Sequence, residues 1–278
     1  MKLRMDVEAR ADVRIPTGIG SLDPVLDGGV PPGSMVLLLS EIGAGGSDFV
    51  RTAAIALARM KREGLSPAPR EVLYITMTRL KEDVLAEAAL SVSPEMYPLL
   101  EGGVHFEDLS EVYFDASVVP PEWYSQGDVL SRMQKHTRRE SLLTELSVVL
   151  SGAEAQSVII IDSLTDLAAQ AGTGERWEAF SGFLRGLQRV AKRWGSVVYL
   201  PLTRGVLPPL QETEIQDCAD AVFLFAWEET QGMRRQRTMS IQKFRGVMPH
   251  LEERNLVKFA IRITAGNGFE VSNIRVVI

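Results

Sequence analysis

The sequence contains one cysteine, Cys218, and three histidines, His105, His136 and His250, in 278 residues. One cysteine excludes an intrachain disulfide and suits a reducing compartment; a small buried hydrophobe beside a strand is its expected role. The histidines stand far apart, with no ligand-type spacing to one another or to the cysteine, so no zinc site is readable. No apolar run approaches the roughly 18 residues of a membrane span. Residues 1–8 lack the apolar segment that directs secretion, so a cytoplasmic protein without a membrane partner is expected. A basic surplus is missing too: Lys+Arg 30 against Asp+Glu 36 leave a net charge of -6, and no global surface recruits nucleic acid. Internal repeats and low-complexity tracts are also absent.

What is present is a globular composition, 45% hydrophobic and 24% charged, in a chain long enough for one large α/β domain. Apolar runs bounded by turn residues recur at Met35 to Leu39, Val72 to Met77, Val158 to Ile161, Val197 to Leu202 and Ala221 to Ala226. Their continuity predicts strands of a mainly parallel sheet covered on both faces. Helical patterns lie between them at Asp48 to Arg62, Lys81 to Leu90, Asp128 to Leu150 and Glu175 to Arg193. After Ala226 the pattern shortens. Thr238 to Phe244, Val257 to Thr264 and Phe269 to Val277 read as antiparallel strands extending one sheet edge, with turns at Gly232, Gly246 and residues 266–268. The proline- and aromatic-rich stretch Asp108 to Gln126 reads as a long connection.

The most informative segment is Ser40-Glu41-Ile42-Gly43-Ala44-Gly45-Gly46-Ser47-Asp48, which follows an apolar strand and opens a helix. It has the form of a phosphate-binding loop with Gly46 where the lysine stands. Gly43, Ala44, Gly45, Gly46, Ser47 and Asp48 are the candidate nucleotide-binding residues, and the Ser47 hydroxyl is a candidate magnesium ligand. An ordinary glycine-rich strand-to-helix turn, with Asp48 favoured in a first helical turn, is the bland reading.

The preceding string, Thr17-Gly18-Ile19-Gly20-Ser21-Leu22-Asp23 through Leu26, Gly28-Gly29 and Pro31-Pro32-Gly33, predicts a short helix burying Leu22 and Leu26 and then two turns. It resembles the string that leads into the phosphate loop in the KaiC-like branch of the RecA-type ATPases. Ser157 to Thr165, an apolar strand ending in Asp162-Ser163, is similar to that family's second nucleotide motif, which implies that Asp162 helps hold magnesium. Lys243-Phe244-Arg245-Gly246 resembles a string whose cations approach a neighbouring subunit's nucleotide in ring-forming members. The resemblance implies residues 1–14 as an N-terminal segment and 15–278 as a single domain with a RecA-like, mainly parallel sheet and helices on both faces.

The departures matter as much. Family members place two adjacent glutamates after the second strand, whereas this register puts Thr78 and Arg79 there. With Gly46, Thr78 and Arg79 at those positions, the chain lacks the phosphate-holding cation and the residue that polarises water, two separate requirements of phosphoryl transfer. ATP and magnesium are the implied cofactors, held weakly if at all. Glu41, Asp48 and Asp162 place negative charge in the cleft, and Arg79 is expected to pair with at least one of them.

Three functions follow from the resemblance and its departures: a pseudo-ATPase acting as a regulatory or assembly subunit, a slow ATPase completed by a neighbour's Lys243 or Arg245, and a DNA-recombination accessory. The last is disfavoured because Thr203 to Asp217, read as a DNA-side loop together with Asp166 to Arg176, holds Glu212, Glu214 and Asp217 against Arg204. The basic pairs Arg138-Arg139 and Arg234-Arg235 read as solvated faces. Self-association, or docking on a related ATPase or a regulatory protein, is the expected partnership.

Overall fold

A computed structural model describes residues 13–115, 117–124, 141–230 and 234–273. In chain order these form β1 (Met35–Ser40), α1 (Gly46–Arg62), β2 (Val72–Thr76), α2 (Lys81–Ser91), α3 (Tyr97–Gly103), β3 (His105–Asp108) and α4 (Ser110–Asp115). Next come α5 (Leu142–Gly152), β4 (Val158–Asp162), α6 (Leu164–Ala171), α7 (Glu175–Trp194), β5 (Val197–Thr203) and α8 (Pro209–Cys218). β6 (Ala221–Thr230), β7 (Arg234–Phe244), α9 (Met248–Glu253), β8 (Lys258–Thr264) and β9 (Gly268–Asn273) complete the described chain.

The strands make a nine-stranded sheet in the order β3-β2-β4-β5-β1-β6-β7-β8-β9. β1 pairs in parallel with both β5 and β6, while β7, β8 and β9 run antiparallel. Continuous apolar runs become central strands because alternate side chains enter different cores. Val36 and Leu38 of β1 join α1 on one face, and Met35, Leu37 and Leu39 join α5 to α8 on the other.

Helix α1 sets the geometry of the loop. It begins with Asp48 in its first turn, runs through the alanine-rich centre, and ends with Arg59, Lys61 and Arg62, charges that suit its two poles. Phe49, wholly buried, meets Tyr199, Phe223, Phe225 and Phe269 edge-on at 5.4–6.4 Å between ring centres. That aromatic anchor fastens the first turn of α1 to the sheet.

The lead-in string departs from the expected helix. Residues 20–28 are successive turns in which Thr17 N and Oγ1 both donate to Asp23 Oδ1 at 2.7 Å. Leu22 and Leu26 are nonetheless fully buried. Gly29 is required here: at φ 134 a Cβ would sit 2.1 Å from the Ile15 carbonyl oxygen, inside the Ile15–Val30 bridge. The same string and α1 together seal the last strand: Val271 N donates to Ser21 Oγ at 2.8 Å and Phe269 N to Thr52 Oγ1 of α1 at 2.9 Å.

Other expectations need correction. The stretch from Asp108 is not structureless: α4 and a 3₁₀ turn at Pro121–Trp123 fall within it. Both supposed DNA-side loops are helical in part, as α6 and α8. Pro209 sits in the first turn of α8, where its missing N–H is not needed. Cys218 is buried as expected, but at the end of α8, where burial raises its thiol pKa. The N-terminal residues 1–12, the helical pattern over 128–140, His136, Arg138-Arg139, the turn at Gly232 and the strand beyond 273 lie outside the described residues. Among the described residues no helix is long and apolar enough to cross a membrane.

Candidate nucleotide cleft

β1 ends at Ser40 and α1 begins at Gly46, so the glycine-rich segment makes a sharp strand-to-helix turn with Gly43 and Gly45 in left-handed backbone. The turn is held from outside. Trp227 Nε1 on β6 donates to Ile42 O at 3.1 Å, and Arg237 Nε on β7 donates to Gly43 O at 2.9 Å. The Trp227 ring also carries the guanidiniums of Arg237 and Arg235, 4.5 and 4.9 Å from its centroid. Glu41 accepts from Trp227 N and from Arg204, each at 3.0 Å.

Gly46 packs against the end of β1. A Cβ built on it would lie 2.8 Å from Ser40 Cβ and 3.0 Å from Ser40 Oγ. The position of the family lysine therefore has no room for a side chain as the loop stands.

The loop opens onto a cleft of about 540 Å³, within the usual range for small-molecule sites. Asp162 enters it because β4 pairs with β2 in a register that sets Asp162 opposite Thr76, which also brings Thr78 and Arg79 alongside. Asp162 Oδ2 accepts the Tyr74 hydroxyl at 2.6 Å and is hydrogen-bonded by Arg79 Nη2. Arg79 Nη1 donates to Glu87 Oε2 at 2.8 Å, and the other oxygen of Glu87 takes Arg51 at 3.0 Å. Arg51 in turn stands 3.8 Å from Asp48. The ion pairs thus run Asp162–Arg79–Glu87–Arg51–Asp48, from β4 across α2 to α1.

Burial depresses the Arg79 guanidinium, but Asp162, Tyr74 and Glu87 outweigh it and its pKa is raised. Burial and then the Asp162 charge push the Tyr74 phenol well above its ordinary value, so it remains a donor. The pairing expected of Arg79 is present, to Asp162 alone; Glu41 and Asp48 have their own arginines, Arg204 and Arg51. Thr78 Oγ1 lies 3.4 Å from Asp166, which also accepts from Ser163 Oγ.

Magnesium does not fit this arrangement. A hard cation needs open oxygen ligands, yet the Oδ2 of Asp162 already accepts from a phenol and a guanidinium, and Ser47 contributes only one neutral oxygen. Among the described residues no group of three or more His, Cys, Asp or Glu side chains is placed to hold a metal ion.

The structure gathers Gly43, Gly45, Gly46, Ser47, Asp48, Thr78, Arg79 and Asp162 around one cleft and leaves Lys243 and Arg245 outside it; Ala44, expected among the nucleotide-binding residues, is instead buried in the core under the loop. Lys243 and Arg245 lie at the other end of the sheet, where β7 pairs with the start of β6. Lys243 Nζ donates to Gln216 O and Asp217 O at 2.9 and 3.0 Å, and Arg245 Nη2 to Asp217 O at 3.0 Å, so both cap the C-terminus of α8. Burial, and then the Arg245 charge, lower the Lys243 pKa.

Ser40, Arg51 and Glu87, which line the cleft, and Tyr74, Trp227 and Arg237, which hold its walls, escaped the sequence reading. Ser40 alone left a local signal, since it stands where the phosphate-loop pattern has its first glycine.

Comparison with known proteins agrees with this fold. The family model described as "ATPase: KaiC" matches residues 15–274. The chain is similar in fold to the KaiC-like protein PH0186 from the hyperthermophilic archaeon Pyrococcus horikoshii OT3, with TM-score 0.61 and 18% identity, over 94% of this chain and 99% of that one. Among curated proteins none matches.

Proposed function

The chain belongs to the KaiC family of ATPases, and we propose that it is a catalytically degenerate member, a pseudo-ATPase that serves as a regulatory or assembly subunit through protein contacts. The observation that carries this reading is the contact between Gly46 and Ser40, which leaves no space for the phosphate-holding side chain. Thr78 and Arg79, where the family's paired glutamates are expected, support it, because phosphoryl transfer also needs a group to orient water. Loss of one electrostatic group costs roughly 10²–10³ in rate, so loss of two leaves little turnover. Self-association, or docking onto a related ATPase or a regulatory protein in the cytoplasm, is the proposed mode of action.

The test is phosphate release from Mg-ATP by wild type and Asp162→Ala, with sedimentation of each. Equal background rates are expected. Hydrolysis that follows the purified protein and disappears in Asp162→Ala would favour instead a slow ATPase completed by a neighbouring subunit.

A further inference from the structure

We propose that the guanidinium of Arg79 is the resident cation of this cleft and keeps divalent metal off Asp162. The proposal deepens the reading of a degenerate nucleotide site, and it fails separately: turnover defeats that reading, whereas metal binding at Asp162 defeats this one.

The Asp162 side chain is 14% exposed, and a carboxylate that far out of water needs a counter-charge. In an active phosphate-loop protein the acid at this strand end helps hold magnesium, with the substrate's oxygens completing the shell. Here Arg79 and Tyr74 donate to the same oxygen. A guanidinium and a phenol offer Asp162 what a hydrated ion would, but they offer an incoming metal no oxygen ligand except the phenol, which stays protonated.

Binding of a divalent ion would therefore require Arg79 to leave. Its second anchor resists that movement, because Glu87 holds Nη1 while being held in turn by Arg51. If Arg79 stayed, the dication and the guanidinium would crowd one carboxylate, and like charges that close repel. The arginine is thus tied on two sides by acids from β4 and α2.

Mn²⁺ is the probe, because free Mn²⁺ is counted by electron paramagnetic resonance and needs no activity. Wild type and Asp162→Asn are expected to bind Mn²⁺ equally weakly at millimolar concentration. Arg79→Met is expected to gain a site, roughly tenfold tighter than any in wild type, that vanishes in Arg79→Met/Asp162→Asn. Glu87→Gln loosens Arg79 without touching Asp162, and it serves if Arg79→Met does not fold; a smaller gain is expected. Asp162-dependent Mn²⁺ binding by wild type overturns the proposal. So does the absence of any gain in whichever of these variants retains its far-ultraviolet circular dichroism and melting transition.

Discussion

The Cβ position of Gly46 lies 2.8 Å from the Cβ of Ser40, closer than two carbon atoms tolerate. Phosphate loops carry glycine where Ser40 stands and lysine where Gly46 stands. This chain has exchanged both, and the two exchanges are sterically linked. Gly46→Lys alone should lower stability by about 1–3 kcal/mol through overpacking, and Ser40→Gly/Gly46→Lys should recover most of it. Urea denaturation decides: equal losses in the single and double variants would show that the contact is not the cause. Nucleotide affinity should rise in the double variant more than rate, because Thr78 and Arg79 remain.

Trp227→Phe keeps a ring under Arg235 and Arg237 and removes the donor to Ile42 O. The expected cost is about 0.5–1.5 kcal/mol, the usual value of one hydrogen bond. Amide exchange across residues 41–45 should accelerate more than exchange in the central strands. Uniform acceleration would mean that Trp227 supports the whole domain and not the loop in particular.

Lys243→Met removes a cation that caps α8 and should lower stability by about 0.3–1 kcal/mol. Thermal melting and sedimentation read the two roles apart. A variant as stable as wild type but defective in association would assign Lys243 to a neighbouring subunit.

Glu214 accepts Trp177 Nε1 at 2.8 Å and the Ser181 hydroxyl, joining α8 to α7, and these bonds, Ser181 first, hold its pKa below the ordinary 4.5. A carboxylate lowered in the folded state contributes stability that is complete above its unfolded pKa and is lost as pH falls through the folded one. Wild type should lose stability relative to Glu214→Gln on acidification below about pH 4.5. Asp23 acts in the opposite sense, since burial raises its pKa, and it cancels in the comparison of the two proteins. A constant difference between them from pH 7 to pH 3 would show that Glu214 does not titrate as argued.

Much of the fold is legible because the central strands are buried on both faces, and burial writes itself as unbroken apolar runs. β3 is not, since His105-Phe106-Glu107-Asp108 is a half-exposed edge with no such run. α8 escaped because Pro208-Pro209 looks like a stiff loop, although proline is welcome where a helix starts. In the cleft, Arg79 and Asp162 were legible through the family resemblance, which sets each at or just beyond the end of an apolar strand. Trp227 and Glu87 were not, for each reaches its partner across the fold: Trp227 lies 185 residues from Ile42, and Glu87 36 from Arg51. No local pattern records such a meeting.

Ser21 and Val271 meet although they are 250 residues apart. With Thr52, Ser21 occupies donors that the outermost strand would otherwise show to solvent, and an open strand edge invites pairing with another chain. The beginning of the domain is thus hydrogen-bonded to the outermost described strand. Proteolytic loss of residues near Ser21 should uncover the edge of β9 and turn a discrete domain into one that grows by strand addition.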